Sequence, residues 1–286
     1  MRNIFLFWIL ILSGCQSLHY NNSVQVIPVK LHSEFEMPIL QLKVNGKEMP
    51  AIFDSGAYFN ACITENILKE VGATPLDEKE RSTDGRGAVL LRQLYEADLQ
   101  IGDVHFGKLK TEIFAPWGYY LVDDKQQDIT DFHNSLNMDS VYVGSGLFKN
   151  YNILWNLADG EIVLYPFSDT TAVNSNEWIS SDFTVTQNGY EFILTTGNKT
   201  LSVMIDSGCS MSSASNNRQN IFYKKSEGAT EKLNDLKFAN LVLDPLEVIV
   251  LNSSEPSVDI LLGCDFLKKY LVFFDMRNKK IWIKKT

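Results

Sequence analysis

Two stretches that share a three-residue motif decide the fold: AIFDSGAYFNACI (residues 51–63) and LSVMIDSGCSMSS (residues 201–213). In each stretch a short apolar run, AIF or VMI, directly precedes Asp-Ser-Gly. Such runs are typical of buried strands, and a carboxylate at the end of a buried strand loses hydration. A single copy is compatible with a turn that ends a strand. Two copies in matching contexts predict a shared role for Asp54 and Asp206.

The surroundings of the motif also recur. An Asn-Gly pair at residues 45–46 and a Gly-Asn pair at residues 197–198 stand nine residues before the two aspartates, and both pairs are typical of two-residue hairpin turns. Downstream, VYVGSGLFKNYNILWNLADGEIVLY (residues 141–165) aligns without a gap on ILLGCDFLKKYLVFFDMRNKKIWIK (residues 260–284). Self-similarity of this kind indicates a duplicated unit. The chain is therefore predicted to contain two copies of one β unit.

This order of elements resembles the aspartic protease superfamily, in particular the bacterial retroviral-type proteases, here duplicated in one chain as in pepsin. The resemblance covers about residues 27–283 and implies a mostly β protein with two retropepsin-like β-barrel lobes related by pseudo-twofold symmetry. It also implies that Asp54 and Asp206 are the catalytic residues. The residues that it assigns to the support of this dyad are Ser55, Gly56, Ser207 and Gly208, and the segments expected to pack around them contain Val143, Gly144, Leu262 and Gly263.

Two neighbouring carboxylates suit peptide hydrolysis for a physical reason. At a separation of about 3 Å they cannot both ionise, so they share one proton. One carboxylate then deprotonates a water while the other polarises the substrate carbonyl. The predicted activity is that of an aspartic endopeptidase, with a water activated between Asp54 and Asp206 and with a peptide or protein as substrate. Two alternatives stay open: a catalytically silent peptide-binding protein with a protease fold, and an envelope lipoprotein whose lobes serve as a scaffold.

The residue after each Asp-Ser-Gly departs from the pepsin pattern. Pepsin-like enzymes commonly have Ser or Thr there, and its hydroxyl donates to the outer oxygen of the carboxylate. This chain has Ala57, which cannot donate, and Cys209, whose thiol donates weakly. The dyad is therefore expected to hold its proton to higher pH than in pepsin. A second departure, VGSG at residues 143–146 in place of the Gly-x-Asp pattern of LGCDF at residues 262–266, leaves the packing beneath Asp54 open.

Composition agrees with two β lobes and argues against some partners. The 286 residues are 45% hydrophobic and 21% charged, which allows one large core or two modest ones. The net charge of -9 argues against nucleic acid, which requires a basic surface. The four histidines are scattered without metal-ligand spacing, so neither a metal nor another cofactor is predicted. Lobes are expected at residues 25–167 and 178–286, joined by a polar linker at 168–177, and the protein is expected to be a monomer.

The two halves differ between the motif and the later glycine. The first half contains an amphipathic helix within residues 63–73 and then a hairpin that corresponds to the flap of the family. Its polar tip is formed by Asp84, Gly85, Arg86 and Gly87. The second half is too short for an equal flap. An insertion at residues 117–140, rich in aromatic and acidic residues, either lines the cleft or forms an exposed loop.

The N-terminus is typical of an exported protein. Residues 1–15 have a basic start and nine apolar residues, too few to span a membrane but enough for a signal peptide. The ending LSGC resembles a bacterial lipoprotein signal, which implies lipidation of Cys15 and a tether at residues 16–24. In a Gram-negative cell, Gln16 after the cysteine would then direct the protein to the outer membrane of the cell envelope, facing the periplasm. An ordinary signal peptide with a chance cysteine is the alternative.

Three further cysteines follow: Cys62, Cys209 and Cys264. An odd number in an exported monomer leaves at least one free thiol. Cys209 and Cys264 lie in segments that should touch in this fold, so the alternatives are a disulfide between them or buried thiols, and buried thiols are the favoured prediction. No histidine stands near any of the three in sequence, so a cysteine nucleophile is not predicted.

Overall fold

The computed structural model describes most of the chain. The described residues are 23–83, 89–114, 119–122, 125–128, 141–167, 169, 173, 177–186, 189–216, 225–226, 228–251 and 258–286. Side chains are described for these residues except 82–83, 89–90, 119–122 and 125–128. Several of the predictions fall outside these residues: the signal peptide at 1–15 with Cys15, nearly all of the tether, most of the linker at 168–177, and the flap tip.

Twenty-five strands form within the described residues. Those of the first half are β1 Gln25–Pro28, β2 Lys30–Leu31, β3 Pro38–Val44, β4 Lys47–Asp54, β5 Ala61–Ile63, β6 Thr74–Thr83, β7 Val89–Ile101, β8 Val104–Ile113, β9 Tyr119–Val122, β10 Lys125–Asp128, β11 Val141–Gly144, β12 Tyr151–Asn156 and β13 Glu161–Pro166. Those of the second half are β14 Ile179–Asp182, β15 Thr184–Thr186, β16 Gly189–Thr196, β17 Lys199–Ile205, β18 Ser213–Ser215, β19 Thr230–Leu233, β20 Leu236–Phe238, β21 Leu241–Val242, β22 Leu246–Leu251, β23 Ile260–Leu262, β24 Tyr270–Asp275 and β25 Lys280–Lys285. The helices are short: α1 Glu65–Glu70, a 3-10 helix Ser145–Phe148 and α2 Cys264–Leu267.

The two predicted hairpins lead into the Asp-Ser-Gly motifs. Strands β3 and β4 pair in antiparallel fashion around Asn45 and Gly46, whose φ angles of 47° and 86° are those of a turn that Asn and Gly tolerate. Strands β16 and β17 pair in the same way around residues 197–198, and Gly197 has a φ of 54°. Both turn predictions are confirmed. In each half the second strand of the hairpin ends at the motif.

Each half has its own sheet with the same pairing beside the motif. The first sheet has the order β2-β3-β4-β11-β5-β8-β7-β6, and β4 runs parallel to β11, so Gly144 lies opposite Asp54. The second has the path β19-β22-β18-β23-β17-β16-β20-β21, and β17 runs parallel to β23. The backbone N–H of Asp206 donates to the carbonyl of Leu262 at 2.9 Å. In both halves, therefore, the strand that ends in Asp-Ser-Gly lies against the strand that ends in Gly.

A third sheet is built by both halves, in the order β1-β13-β12-β24-β25-β14. At its centre β12 and β24 are antiparallel, and Leu154 lies opposite Phe273, its equivalent in the gapless alignment. Ile153 lies opposite Phe274, and Trp155 lies opposite Val272. Equivalent residues can face each other in an antiparallel pair only around a local twofold axis. The predicted mostly β, bilobal fold with pseudo-twofold symmetry is confirmed.

The shared sheet packs directly beneath the first motif. Phe53, directly before Asp54, stacks on Trp155 of the shared sheet with ring centroids 4.6 Å apart, and it contacts Phe148 at 4.9 Å. All three rings are buried, and they belong to one apolar core that continues through both halves. The backbone that leads into the motif is thus held by close-packed side chains on a rigid sheet.

The remaining elements of the first half follow the sequence in outline. Helix α1 lies within the predicted segment and buries Ile67 and Leu68. Strands β6 and β7 form a hairpin at the predicted place, and the predicted flap-tip residues 84–87 lie outside the described residues. Strands β9 and β10 form a two-stranded hairpin within the insertion. Among the residues described, no helix has the length and apolar character needed to cross a membrane.

Candidate active site

The structure brings Asp54 and Asp206 together where the two lobes meet. Each aspartate keeps part of its surface accessible, and each carboxyl lies against the glycine of the opposite motif. A Cβ atom at Gly56 would stand 2.6 Å from Cγ of Asp206, and one at Gly208 would stand 2.8 Å from Cγ of Asp54. The same Cβ at Gly208 would stand 2.9 Å from Oδ1 of Asp54 and 3.1 Å from Oδ1 of Asp206, so the two carboxyls lie side by side. Glycine is required at both positions because a side chain there would occupy the space of the opposite carboxyl.

The two serines of the motifs lock the loops to each other. The hydroxyl of Ser55 accepts from the backbone N–H of Ser207 at 3.0 Å and donates to the carbonyl of Ile205 at 3.1 Å. Symmetrically, the hydroxyl of Ser207 accepts from the N–H of Ser55 at 3.0 Å and donates to the carbonyl of Phe53 at 2.6 Å. Both serines are buried, at 4% and 0% exposure, so water does not compete for these four bonds. The result is a rigid base under the pair of aspartates.

Each aspartate is also held by the loop to which it belongs. The N–H of Gly56 donates to Oδ1 of Asp54 at 3.0 Å, and the N–H of Gly208 donates to Oδ1 of Asp206 at 2.9 Å. Oδ2 of Asp206 has an additional donor, the Sγ of Cys209 at 3.2 Å. The position that corresponds to Cys209 in the first motif is Ala57, which has no side-chain donor.

Burial and proximity change the titration of the pair. Burial, then the charge of Asp206 and the hydrogen bond with it, raise the pKa of Asp54 well above its usual range. Burial also raises the pKa of Asp206, against the opposing contributions of Cys209, Gly208 and Asp54. Two carboxyls in this arrangement hold one proton between them to higher pH than isolated ones. The site is therefore able to supply a base and an acid at the same time.

The apolar-apolar-Gly segments enclose the motif loops without room for a side chain. A Cβ at Gly144 would lie 2.4 Å from the carbonyl oxygen of Phe59 and 2.7 Å from that of Ala57. A Cβ at Gly263 would lie 2.8 Å from the carbonyl oxygen of Cys209. Both glycines are thus required by the close approach of another backbone.

The support beneath the two motifs differs, as the departure in VGSG suggested. In the second half, Asp265 accepts from both the N–H and the hydroxyl of Ser212 at 2.8 Å, and that hydroxyl accepts from the N–H of Gly263 at 3.1 Å. In the first half Gly146 takes the place of Asp265. There the hydroxyl and N–H of Ser145 both donate to the carbonyl of Ala57 at 2.9 Å. The backbone bond recurs in the second half, where the N–H of Cys264 donates to the carbonyl of Cys209 at 2.9 Å. The first loop therefore differs in having the Ser145 hydroxyl in place of a carboxylate as its additional support.

One contact between the halves was not predicted from the sequence. The hydroxyl of Tyr190, on β16 of the second half, donates to the carbonyl of Ser145 in the first half at 3.3 Å. Tyr190 is 4% exposed and its ring meets Tyr58 edge-on. The contact reinforces the junction of the lobes beside the first motif.

A buried charged group in the first sheet also escaped the sequence analysis. Arg92 on β7 forms an ion pair with Glu112 at 3.2 Å and donates to Sγ of Cys62 at 3.4 Å. Arg92 and Glu112 are 6% and 16% exposed, and Nε of Arg92 has no hydrogen-bond partner among the described residues. The one available signal was a single cation in the apolar run VLLRQLY, residues 89–95. Both residues lie on the sheet that contains Asp54. Glu112 is on β8, which is the third strand from β4 in the order of that sheet.

The cysteines of the described residues are free thiols. Cys62 and Cys264 are buried and Cys209 is partly exposed, and none of the three forms a disulfide. Burial is the main cause that raises the pKa of Cys62 and of Cys264 to about 12, so both stay protonated. Within the part of the chain that the structure describes, no three His, Cys, Asp or Glu side chains are grouped to hold a metal.

The comparisons with known proteins agree with this architecture. No protein-family model and no curated protein matches the sequence. Matching solved structures include an aspartic proteinase from Irpex lacteus, which is 12% identical with a TM-score of 0.57 over 92% of this chain and 98% of that one. They also include conglutin gamma, a basic 7S globulin from lupine seeds, at 10% identity and a TM-score of 0.55 over 93% and 96%. A basic 7S globulin from soybean matches at 10% identity and a TM-score of 0.51, over 93% of this chain and 96% of that one. The chain thus has the bilobal fold of an aspartic proteinase, a fold that globulins also have.

Proposed function

We propose that this protein is an aspartic endopeptidase that hydrolyses peptide bonds with a water activated between Asp54 and Asp206. The observation that carries the proposal is the pair of adjacent carboxyls, each in contact with the glycine of the opposite motif. The fold alone does not decide the activity, because globulins share it with an aspartic proteinase. The four serine bonds between the motif loops support the proposal, because acid–base chemistry requires that the two carboxyls be held in a fixed position.

The proposed reaction uses the two carboxyls in opposite protonation states. The ionised carboxylate takes a proton from the water as the water oxygen bonds to the carbonyl carbon of the substrate. The protonated carboxyl gives its proton to the carbonyl oxygen, so a neutral tetrahedral diol forms. The first carboxyl then protonates the leaving nitrogen as the C–N bond breaks, while a diol hydroxyl returns a proton to the second. Two products leave, and the shared proton is restored.

A peptide or protein is the proposed substrate, because the reaction acts on an amide and the aspartates lie at the junction of the two lobes. The test is a peptide library incubated with the chain between pH 4 and pH 7 in water enriched in ¹⁸O, with cleavage followed by mass spectrometry. We expect new carboxyl termini that carry one ¹⁸O atom, and none from the Asp54→Asn variant. A matched control is Asp182→Asn, on an exposed aspartate outside the site. Absence of cleavage by the wild-type protein across the library, or equal cleavage by Asp54→Asn, would contradict the proposal.

We also propose that the protein is a monomeric lipoprotein of the cell envelope, anchored to the outer membrane through Cys15. The sequence LSGC after nine apolar residues supports this proposal. Membrane fractionation of cells that produce the wild-type chain or Cys15→Ser tests it. The wild-type protein should sediment with membranes and incorporate labelled fatty acid, and the variant should do neither. A wild-type protein that is unlipidated and soluble would overturn the anchor.

A further inference from the structure

We infer that the two aspartates have fixed and different roles, with Asp206 as the ionised member and Asp54 as the holder of the shared proton, and that Cys209 is the positioning residue that sets this order. The catalytic meaning of these roles depends on the proposed endopeptidase activity. The order of ionisation itself does not depend on it, because it is a property of the free protein.

The geometry that carries the inference is an asymmetry in otherwise matching motifs. Oδ1 of each aspartate receives a backbone N–H, from Gly56 at 3.0 Å and from Gly208 at 2.9 Å. Oδ2 of Asp206 in addition receives the thiol of Cys209 at 3.2 Å. Hydrogen bonds that donate to a carboxylate stabilise its charged form.

The first motif has no equivalent side-chain donor. Ala57 acts on Asp54 only through its backbone N–H, which is the smallest of the contributions to the pKa of that carboxyl. By contrast, the thiol of Cys209 is the largest of the contributions that lower the pKa of Asp206. The charge of the pair is therefore stabilised more on the second lobe than on the first.

The thiol remains a donor over the whole range in which the pair titrates. Burial and then the charge of Asp206 raise the pKa of Cys209 well above its usual range. The neutral thiol has one proton and a neighbouring carboxylate oxygen to accept it. This also means that Cys209 is a poor nucleophile, since the thiolate is the reactive form.

Other titratable groups around the pair do not reverse this asymmetry. Cys264 interacts with Asp206, and Cys62 and Tyr142 interact with Asp54. Burial raises the pKa of each of these three groups, so each is neutral while the carboxyls titrate. The charged groups next to Cys62 are Arg92 and Glu112, which form an ion pair. Their opposite charges largely cancel in their effect on Asp54.

The inference assigns the steps of the proposed reaction. Asp206 takes the proton from the attacking water, and Asp54 donates to the carbonyl oxygen of the substrate. Each limb of the pH profile of kcat/KM then reports mainly one aspartate, because the acid limb follows the first ionisation of the pair and the basic limb follows the second.

The deciding experiment is a carbon-13 NMR titration of the protein labelled at the aspartate side-chain carboxyls. The two resonances are assigned by their loss in Asp54→Asn and in Asp206→Asn. We expect the Asp206 resonance to titrate at lower pH than that of Asp54. In Cys209→Ala the midpoint of Asp206 should rise by about 0.5 to 1 pH unit, since a thiol is a weak donor to a charged acceptor. Cys209→Ser, which keeps a donor of similar size, should leave the midpoint of Asp206 at or below its wild-type value.

The reciprocal variant is Ala57→Ser, which places a donor beside the other carboxyl and should lower the midpoint of Asp54. The inference is overturned if Asp54 titrates first, or if Cys209→Ala leaves the midpoint of Asp206 unchanged or shifts that of Asp54 instead. The same variants in a cleavage assay separate the two proposals. The predicted NMR order without any cleavage would refute the endopeptidase and leave the inference standing, whereas cleavage with the opposite order would refute only the inference.

Discussion

Replacement of Ser207 by Ala tests the lock between the two motif loops. The substitution removes the hydroxyl that donates to the carbonyl of Phe53 at 2.6 Å and accepts from the N–H of Ser55 at 3.0 Å. Both of these backbone groups belong to buried residues, so neither gains a water in exchange. A buried polar group left without a partner costs about 1 to 3 kcal/mol.

The expected effect on stability follows from two such groups. We expect Ser207→Ala to lower the free energy of unfolding by about 3 kcal/mol. For a chain of this size that corresponds to a fall in Tm of roughly 6 °C. Ser55→Ala should have a similar effect, because its hydroxyl also makes two bonds across the junction.

Urea and thermal unfolding of the two variants and of the wild-type protein measure these changes. Ser226→Ala is a matched control, since Ser226 is exposed and its described hydrogen bond is made by its backbone carbonyl. The control should change stability by less than about 0.5 kcal/mol. A loss below about 1 kcal/mol in Ser207→Ala would refute the argument, because it would show that the hydroxyl bonds are replaced by water or are absent in solution.

Three further predictions concern charge and assembly. Because burial and Asp206 raise the pKa of Asp54 above its unfolded value of about 4, the wild-type protein should lose stability as the pH rises from about 4 through the raised pKa. The Tm advantage of Asp54→Asn over the wild type should therefore be larger at pH 7 than at pH 4, and an advantage that does not depend on pH would contradict this. Arg92→Met should lower the free energy of unfolding by about 3 to 5 kcal/mol, because it leaves Glu112 buried without its cation. The loss should be clearly smaller in a Glu112→Gln background, and equal losses in both backgrounds would rule out the ion pair as its cause. Finally, specific cleavage activity should stay constant on dilution, since one chain supplies both aspartates, and a steep fall at low concentration would show that two chains are needed.

The parts of the fold that were predictable from sequence are those that the duplication repeats. Residues 45–46 and 197–198 form two-residue turns because Asn and Gly tolerate positive φ, and this chemistry is local. The gapless alignment of residues 141–165 with 260–284 predicts matching strands in the two halves. The pairing of Leu154 with Phe273 required the structure, since an alignment states which residues are equivalent and not where the halves meet.

The site was predictable where its residues lie within the motif. Asp54 and Asp206, with the glycines beside them, follow from the repeated triplet. The contact of Tyr190 with Ser145 does not, because one tyrosine in a strand carries no sign of a partner 45 residues away. The ion pair of Arg92 was hidden for a similar reason: a lone cation in an apolar run is compatible with an exposed edge until the partner strand is known.

The most direct measurement of the central claim is kcat/KM for one cleaved peptide with Asp54→Asn, Asp206→Asn and the double variant. If the two carboxyls act as a unit, each single variant should lose at least about 10³-fold, since each removes one half of the acid–base pair. The kcat/KM of the double variant should be no lower than that of the worse single variant, because loss of one carboxyl already abolishes the function of the pair. Circular dichroism should show that all three variants keep the fold. Substantial cleavage by either single variant, or losses that multiply in the double variant, would contradict hydrolysis by a shared-proton pair of aspartates.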